Sequence, residues 1–251
     1  MFALRELVSH LDLYLRCAQF SDYCPNGLQV EGRSEVGRIV TGVTASAALI
    51  DAAIARDADA IIVHHGLFWK GDDPCVIGLR KRRLAALLRH DISLLAYHLP
   101  LDAHPDCGNN ACLGRQLGLQ HAAPVTAMPG SFLWRGHWST ACSVGELTAM
   151  LEARLATRVV YAGPERGEIQ TVAWCTGAAQ KYIEQAVSLG VDAYITGEIS
   201  EATTHIARES GVHFFAAGHH ATERYGVRAL GEYLAQKFGL QHENVDVPNP
   251  A

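Results

Sequence analysis

The chain has 251 residues, of which 49% are apolar and 19% charged, as in soluble globular proteins with one large domain or two small ones. The net charge is -5 and the longest basic run is Arg80-Lys81-Arg82-Arg83, so a broad nucleic-acid-binding surface is not expected. Its seven cysteines form no C-x-x-C pair, which argues against a disulfide framework and a thiolate zinc site. Because no window is apolar enough to span a membrane, we expect a cytoplasmic protein.

The first part of the chain alternates helix and strand patterns. Leucines three or four residues apart predict a helix within residues 2–19, and Asn26-Gly27 is typical of a turn. Residues 38–44 form a β-branched strand, after which Ser46 can cap an alanine-rich helix. Residues 59–63 are continuously apolar, as expected of a strand buried on both faces of a parallel sheet.

The same alternation continues to about residue 120. A helix with apolar leucines precedes a strand at 92–97, and Pro100 predicts a loop after that strand. Asn109 can open the next helix and Gly118 can close it. Such alternation predicts βαβ units with right-handed crossovers.

The pattern is less regular between residues 122 and 190, although Ser143 and Glu146 form a capping-box match. Strands at 191–196 and 212–216 and a long final helix then restore it, before a polar C-terminal tail. We therefore predict an α/β fold with a mainly parallel sheet flanked by helices. A metal-binding α/β domain would comprise residues 1–124 plus 191–251, with a smaller inserted α/β lobe at 125–190.

Potential metal ligands follow the predicted strands. His64-His65 ends one strand, His98 ends the next with Asp102 nearby, and His219 and Glu223 follow a third. If these strands share a parallel sheet, their carboxyl ends meet at one edge. Imidazole and carboxylate groups suit zinc, iron, manganese or similar ions, and a carboxylate can bridge two ions whose water has a lowered pKa.

Each group taken alone has a simpler interpretation. A His-His pair at a strand end is more often structural, Asp102 in a proline loop is by default a turn residue, and His219 with Glu223 resembles a capping or surface pair. The remaining histidines show no ligand spacing. Neither a dinucleotide-binding nor a P-loop signature is present, and no histidine is placed as a base for a cysteine nucleophile.

The motifs together resemble those of a known family. These are His64-His65-Gly66-Leu67-Phe68-Trp69, His98-Leu99-Pro100-Leu101-Asp102, Thr196-Gly197-Glu198, Gly218-His219-His220-Ala221-Thr222-Glu223 and Asn26-Gly27-Leu28-Gln29. In this order they are similar to the short form of the Nif-three-like family, whose members are often labelled GTP cyclohydrolase 1 type 2 homologues. The resemblance covers essentially the whole chain.

The resemblance implies a site with two divalent metal ions. In it His64 and His219 serve one ion, His65 and Asp102 serve the other, and Glu223 bridges both. His98 is expected to shuttle protons or to contact either the substrate or the ligand side chains. The resemblance also implies a toroidal homohexamer with its metal sites facing an internal cavity.

The sequence leaves three hypotheses for the function of the protein. The first hypothesis is a metal-dependent hydrolase, GTP cyclohydrolase 1 type 2-like, that acts on a nucleotide or related small molecule, including damaged or modified nucleotides. The alternative is a non-catalytic hexameric scaffold or regulatory interaction protein that the metals stabilise. DNA binding through a ring is a third, weaker hypothesis, because the net charge does not predict a basic lumen.

Overall fold

The computed structural model describes residues 1–126, 128 and 132–251. The strands, in chain order, are β1 (Phe2–Ala3), β2 (Gly27–Val30), β3 (Glu35–Val36), β4 (Arg38–Thr44), β5 (Ala60–His65), β6 (Ser93–Ala96), β7 (Gln120–Pro124), β8 (Trp134–Ser143), β9 (Val160–Ala162), β10 (Glu168–Trp174), β11 (Ala193–Thr196), β12 (His213–Ala216) and β13 (Gln241–Asn244).

Helices separate most of these strands. In chain order they are α1 (Leu4–Tyr14), α2 (Ala47–Ile54), α3 (Gly78–Arg89), α4 (Leu99–Ala103), α5 (Asn109–Gln116), α6 (Val144–Leu155), α7 (Ile183–Ser188), α8 (Glu201–Ser210) and α9 (His219–Phe238). Short 3₁₀ turns occupy Cys17–Gln19 and Gln180–Tyr182. In the part of the chain that the structure describes, no helix combines the length and the apolar character that crossing a membrane requires.

The chain forms two compact units. Unit 1 comprises Met1–Gly108 and Gly226–Pro248, and unit 2 comprises Asn109–Tyr225 and Asn249–Ala251. Helix α9 begins in unit 2 and ends in unit 1. The boundaries predicted from the sequence, at residues 124 and 190, do not coincide with the limits of these two units. The insertion of residues 125–190 as a separate lobe stays a prediction.

Unit 1 is built on a five-stranded sheet in the order β13-β4-β5-β6-β2. Its first four strands are mutually parallel, and β2 joins β6 antiparallel at the edge. Strand β5 is buried from Ala60 to His64, as the apolar run predicts. Helix α1 packs its leucine stripe into the core, and Ser46 Oγ accepts a hydrogen bond from Leu49 N, which confirms both local predictions.

The prediction of a polar tail after residue 240 is wrong at Gln241–Asn244, which pairs with β4 in parallel. This edge strand is polar and half-exposed, so it shows no apolar run by which sequence patterns could reveal it.

Unit 2 contains a six-stranded sheet in the order β7-β8-β10-β11-β12-β9. Strands β10, β11 and β12 are parallel, whereas β7, β8 and β9 pair antiparallel with their neighbours. The capping box of Ser143 and Glu146 opens α6, as predicted. The fold is thus α/β, with two mixed sheets flanked by helices, which confirms the predicted fold class.

One premise of the sequence argument is wrong. We expected the strands before His64, His98 and His219 to share one sheet, but β5 and β6 lie in the sheet of unit 1, and β12 lies in that of unit 2. The reason is that an apolar strand pattern shows that a strand exists but carries no information on which strand it pairs with.

Candidate metal centre

His64 is the most buried member of the candidate site. It lies within β5, near the strand end where it was predicted, and it is fully buried. Its Nδ1 lies 3.0 Å from the backbone oxygen of Tyr97. A carbonyl oxygen can only accept, so Nδ1 carries the hydrogen and Nε2 carries the lone pair that a metal ion needs. Nε2 lies 3.5 Å from Oδ1 of Asp102.

His65 is the last residue of β5 and is half-buried. Neighbouring side chains alternate across a strand, yet the rings of His64 and His65 have centroids only 4.5 Å apart. Nδ1 of His65 lies 3.1 Å from Oγ1 of Thr44, its partner in the β4–β5 register. Because Nδ1 of His65 faces this hydroxyl, Nε2 of His65 points away from Thr44 and is the nitrogen that a metal ion would contact.

Asp102 lies on α4, where we predicted a loop, and that prediction is wrong. Pro100 stands in the first turn of this short helix, where a missing backbone N–H costs nothing because that N–H has no partner within the helix. The five-residue helix carries Asp102 from the end of β6 into a buried position, 8% exposed. The result is a buried carboxylate beside His64.

His98 precedes α4 and completes the histidine group of unit 1. One ring nitrogen from each of His64, His65 and His98 lies within 4.8 Å of the other two. Nδ1 of His98 lies 2.7 Å from Oδ1 of Asp22, so this ring also presents Nε2. The ring of Trp69 meets that of His98 edge-on, with centroids 5.1 Å apart.

His219 and Glu223 lie one turn apart at the start of α9, in unit 2. His219 Nε2 is 3.0 Å from Glu223 Oε2, and His219 Nδ1 is 2.7 Å from Glu198 Oε1. Burial lowers the pKa of His219, but the hydrogen bonds and charges of Glu223 and Glu198 outweigh it and raise the pKa to about 9. Glu223 is buried, with 3% of its surface exposed.

Gly177 brings the backbone of unit 2 against this pair. A Cβ at this position would lie 2.0 Å from Glu223 Oε1 and 3.3 Å from His219 Nε2, and its φ is +71°. Its N–H also donates to Oγ1 of Thr222, 3.0 Å away. Only glycine fits both the conformation and the space.

Sequence reasoning did not assign roles to Asp22, Glu198 or Gly177. Glu198 was visible only as part of a motif, and Asp22 lies 76 positions before His98 in the chain. The motif residues Asn26 and Gln29 also gain a role: Asn26 Oδ1 accepts from His98 N at 2.7 Å, and Gln29 Oε1 accepts from Leu67 N at 2.8 Å. Both side chains hold segments that follow the strand ends.

The donor groups fit a divalent metal ion. Metal-bound histidines in proteins usually direct their second nitrogen at a carboxylate, a backbone carbonyl or another hydrogen-bonding group, which fixes the ring. The four histidines of the candidate site follow this pattern, with partners Tyr97, Thr44, Asp22 and Glu198. In unit 1 the histidines lie beside the buried Asp102, and in unit 2 His219 lies beside the buried Glu223. Each of these His/Asp/Glu clusters is consistent with a metal site.

The structure also places a histidine beside a cysteine, which we did not anticipate. Cys107 Sγ lies 3.3 Å from Nδ1 of His104. That same nitrogen accepts from the backbone N–H groups of Asp106 and Cys107, each at 3.2 Å. Because these donors occupy Nδ1, His104 stabilises a buried turn and is not available as a base for the thiol.

Comparison with known proteins places the chain in a family. Residues 2–250 match the model described as Duf34/NIF3 (NGG1p interacting factor 3). Proteins called "GTP cyclohydrolase 1 type 2 homolog" are 55% identical in Allochromatium vinosum, over 100% of this chain and 98% of the relative, and 54% identical in Pseudomonas aeruginosa, over 99% of each.

Solved structures agree. A protein called ybgI, described as of unknown function, superposes with a TM-score of 0.94 at 49% identity over 100% of both chains. A protein from Thermus thermophilus superposes with a TM-score of 0.89 at 33% identity, again over 100% of both chains. On the family match and these full-length relatives, the chain belongs to the Duf34/NIF3 (NGG1p interacting factor 3) family.

Proposed function

We propose that this protein is a metal-dependent hydrolase that acts on a nucleotide or a related small molecule, in a GTP cyclohydrolase 1 type 2-like reaction. Damaged or modified nucleotides are included in this substrate class. The name of the curated relatives supports the reaction class. The single observation that carries the proposal is that Nδ1 of each proposed histidine ligand, His64, His65 and His219, is held by a protein oxygen, which directs Nε2 towards a metal ion.

Two divalent ions would be held by His64, His65 and Asp102 of unit 1 and by His219 and Glu223 of unit 2. When bound, such ions supply Lewis acidity and lower the pKa of water. Imidazole and carboxylate donors support a catalytic rather than a closed structural site, since closed zinc sites usually include thiolates. His98 would accept and return protons during the reaction, and Trp69 beside it would contact a planar base.

The protein itself would supply orientation. Tyr97, Thr44 and Glu198 hold the rings of His64, His65 and His219, so little rearrangement is needed when substrate binds. We also propose the homohexamer that the family resemblance implies. Light scattering would then give six times the 27.2 kDa mass of one chain.

A nucleotide screen tests the hydrolase directly. Protein loaded separately with zinc, iron or manganese would be incubated with GTP, other nucleotides and oxidised or deaminated nucleotides, and the products would be identified by mass spectrometry. We expect turnover with at least one metal and its loss in Glu223→Gln. Glu201→Gln is the matched control, because Glu201 forms an exposed i,i+4 pair with His205 on α8.

A non-catalytic role is the second candidate, and the family description as an interacting factor favours it. In that case no metal would support turnover, and Glu223→Gln would weaken the assembly. Turnover by the wild type together with an intact assembly of the inactive variant would exclude this second candidate.

A further inference from the structure

Asp22 is a buried carboxylate that links its own turn to the segment around His98. Its side chain is 3% exposed. Oδ1 accepts from His98 Nδ1 at 2.7 Å and from Tyr23 N at 2.6 Å. Oδ2 accepts from Asn26 Nδ2 and from Leu99 N, each at 2.9 Å. Both oxygens are therefore surrounded by donors.

These donors keep Asp22 ionised. Burial raises the pKa of this carboxyl, but the hydrogen bonds from His98, Asn26 and the Leu99 N–H outweigh burial and lower the pKa to about 2. An ionised carboxylate can only accept hydrogen bonds. The nitrogen of His98 that faces it must therefore carry a hydrogen, which leaves the lone pair on Nε2.

The backbone of His98 is fixed as well. Its N–H donates to Asn26 Oδ1 at 2.7 Å, and the following N–H, of Leu99, donates to Asp22. The ring centroid of His98 lies 5.0 Å from that of His64 and 5.8 Å from that of His65. These contacts fix the orientation of the His98 ring and its Nδ1–H tautomer, and they place the ring beside the candidate metal ligands His64 and His65.

We propose that Asp22 is a positioning residue that fixes His98 as the Nδ1–H tautomer, so that the Nε2 lone pair receives the proton of the attacking water. This proposal rests on the hydrolase function proposed above. One O–H bond of the water breaks, its proton moves to Nε2, and the oxygen forms a bond to the substrate. The bond between the substrate and its leaving group then breaks, its electron pair stays with the leaving group, and Nε2 returns the proton to that group, so atoms and charge balance without a further reactant.

Substitution of Asp22 by asparagine tests the tautomer specifically. In Asp22→Asn the amide NH₂ cannot take the position of Oδ2. It is itself a donor and would there face two fixed donors, Asn26 Nδ2 and Leu99 N. At the Oδ1 position it faces only one fixed donor, Tyr23 N, together with His98, which can become an acceptor. His98 should therefore switch to the Nε2–H tautomer, which has no lone pair at the reacting end.

The experiment combines spectroscopy with kinetics. ¹⁵N-histidine-labelled, zinc-loaded protein is measured by solid-state NMR, with His98→Gln used to assign the His98 signals. We expect Nδ1–H in the wild type and Nε2–H in Asp22→Asn. We also expect kcat to fall by about 100-fold or more in Asp22→Asn, with KM and metal content unchanged.

Two controls separate positioning from general structural damage. Asp59→Asn removes another carboxylate of unit 1, one that accepts from Gly37 N, Arg38 N and Arg33, and it should leave the His98 tautomer and kcat unchanged. In the His98→Gln background, Asp22→Asn should cause no further loss of kcat, because the positioned group is already absent.

Several results would overturn the proposal. These are an Nε2–H tautomer in the wild type, an unchanged tautomer or kcat in Asp22→Asn, and loss of metal in His98→Gln, which would make His98 a ligand. If the wild type hydrolyses no nucleotide, the hydrolase function fails, whereas the NMR measurement still decides whether Asp22 sets the tautomer.

Discussion

Gly177 lies so close to Glu223 that a methyl group on its Cα would be 2.0 Å from Glu223 Oε1. Gly177→Ala should therefore displace the carboxylate and reduce the metal content of the purified protein by more than half. Gly190→Ala is the matched control: Gly190 has a similar φ of +66° but no atom within 4 Å of a Cβ. This control should lower the free energy of unfolding by about 1 kcal/mol through backbone strain, with the metal content unchanged. Equal metal loss in both variants would contradict a specific role of Gly177.

Glu198 should tune the affinity for metal without being needed for folding. Its carboxylate lies 2.7 Å from His219 Nδ1 but is 42% exposed, so Glu198→Gln should change the free energy of unfolding little. Losing a carboxylate partner of a metal-bound histidine typically weakens binding about 10–100-fold. Competition titration with a zinc chelator measures this change, and Glu201→Gln is again the control. An affinity equal to that of the wild type would show that Glu198 does not support a ligand.

The low pKa of Asp22 predicts how stability depends on pH. The pKa is about 2 in the folded protein, below its usual value of 3.8, so Asp22 stabilises the fold above pH 4 and loses this effect as pH falls towards 2. The full difference corresponds to about 2 kcal/mol of unfolding free energy. Urea unfolding of metal-free wild type and Asp22→Asn should therefore show a stability gap that narrows as pH falls from 5 to 3. A gap that stays constant over this range would contradict the assignment.

The sequence predicts the existence of most elements because each has a strong local pattern. The leucine stripe of α1, the apolar run of β5 and the capping box of α6 all arise from contacts within a few residues. Strand β13 and helix α4 were missed for the opposite reason. The former is polar and defined by its partner β4, and the latter is a single turn around Pro100.

The candidate ligands were recognised as residue types and as motifs, but the groups that orient them were not. Asp22 reaches His98 across 76 residues and Glu198 reaches His219 across 21, so no local spacing relates them. The sequence also did not show which strands share a sheet, and β12 belongs to a different sheet from β5 and β6. A residue pattern shows the periodicity of one segment, whereas strand pairing and the contacts of Asp22 and Glu198 join segments that are far apart in the chain.

Metal analysis of protein purified without added metal tests the central claim most directly. Elemental analysis of the wild type should find divalent metal close to two ions per chain, and Glu223→Gln, Asp102→Asn and His64→Ala should each lose most of it. Glu201→Gln should retain it, because its exposed pair with His205 lies outside the candidate site. Only trace metal in the wild type, or equal metal in the wild type and all three site variants, would contradict the account.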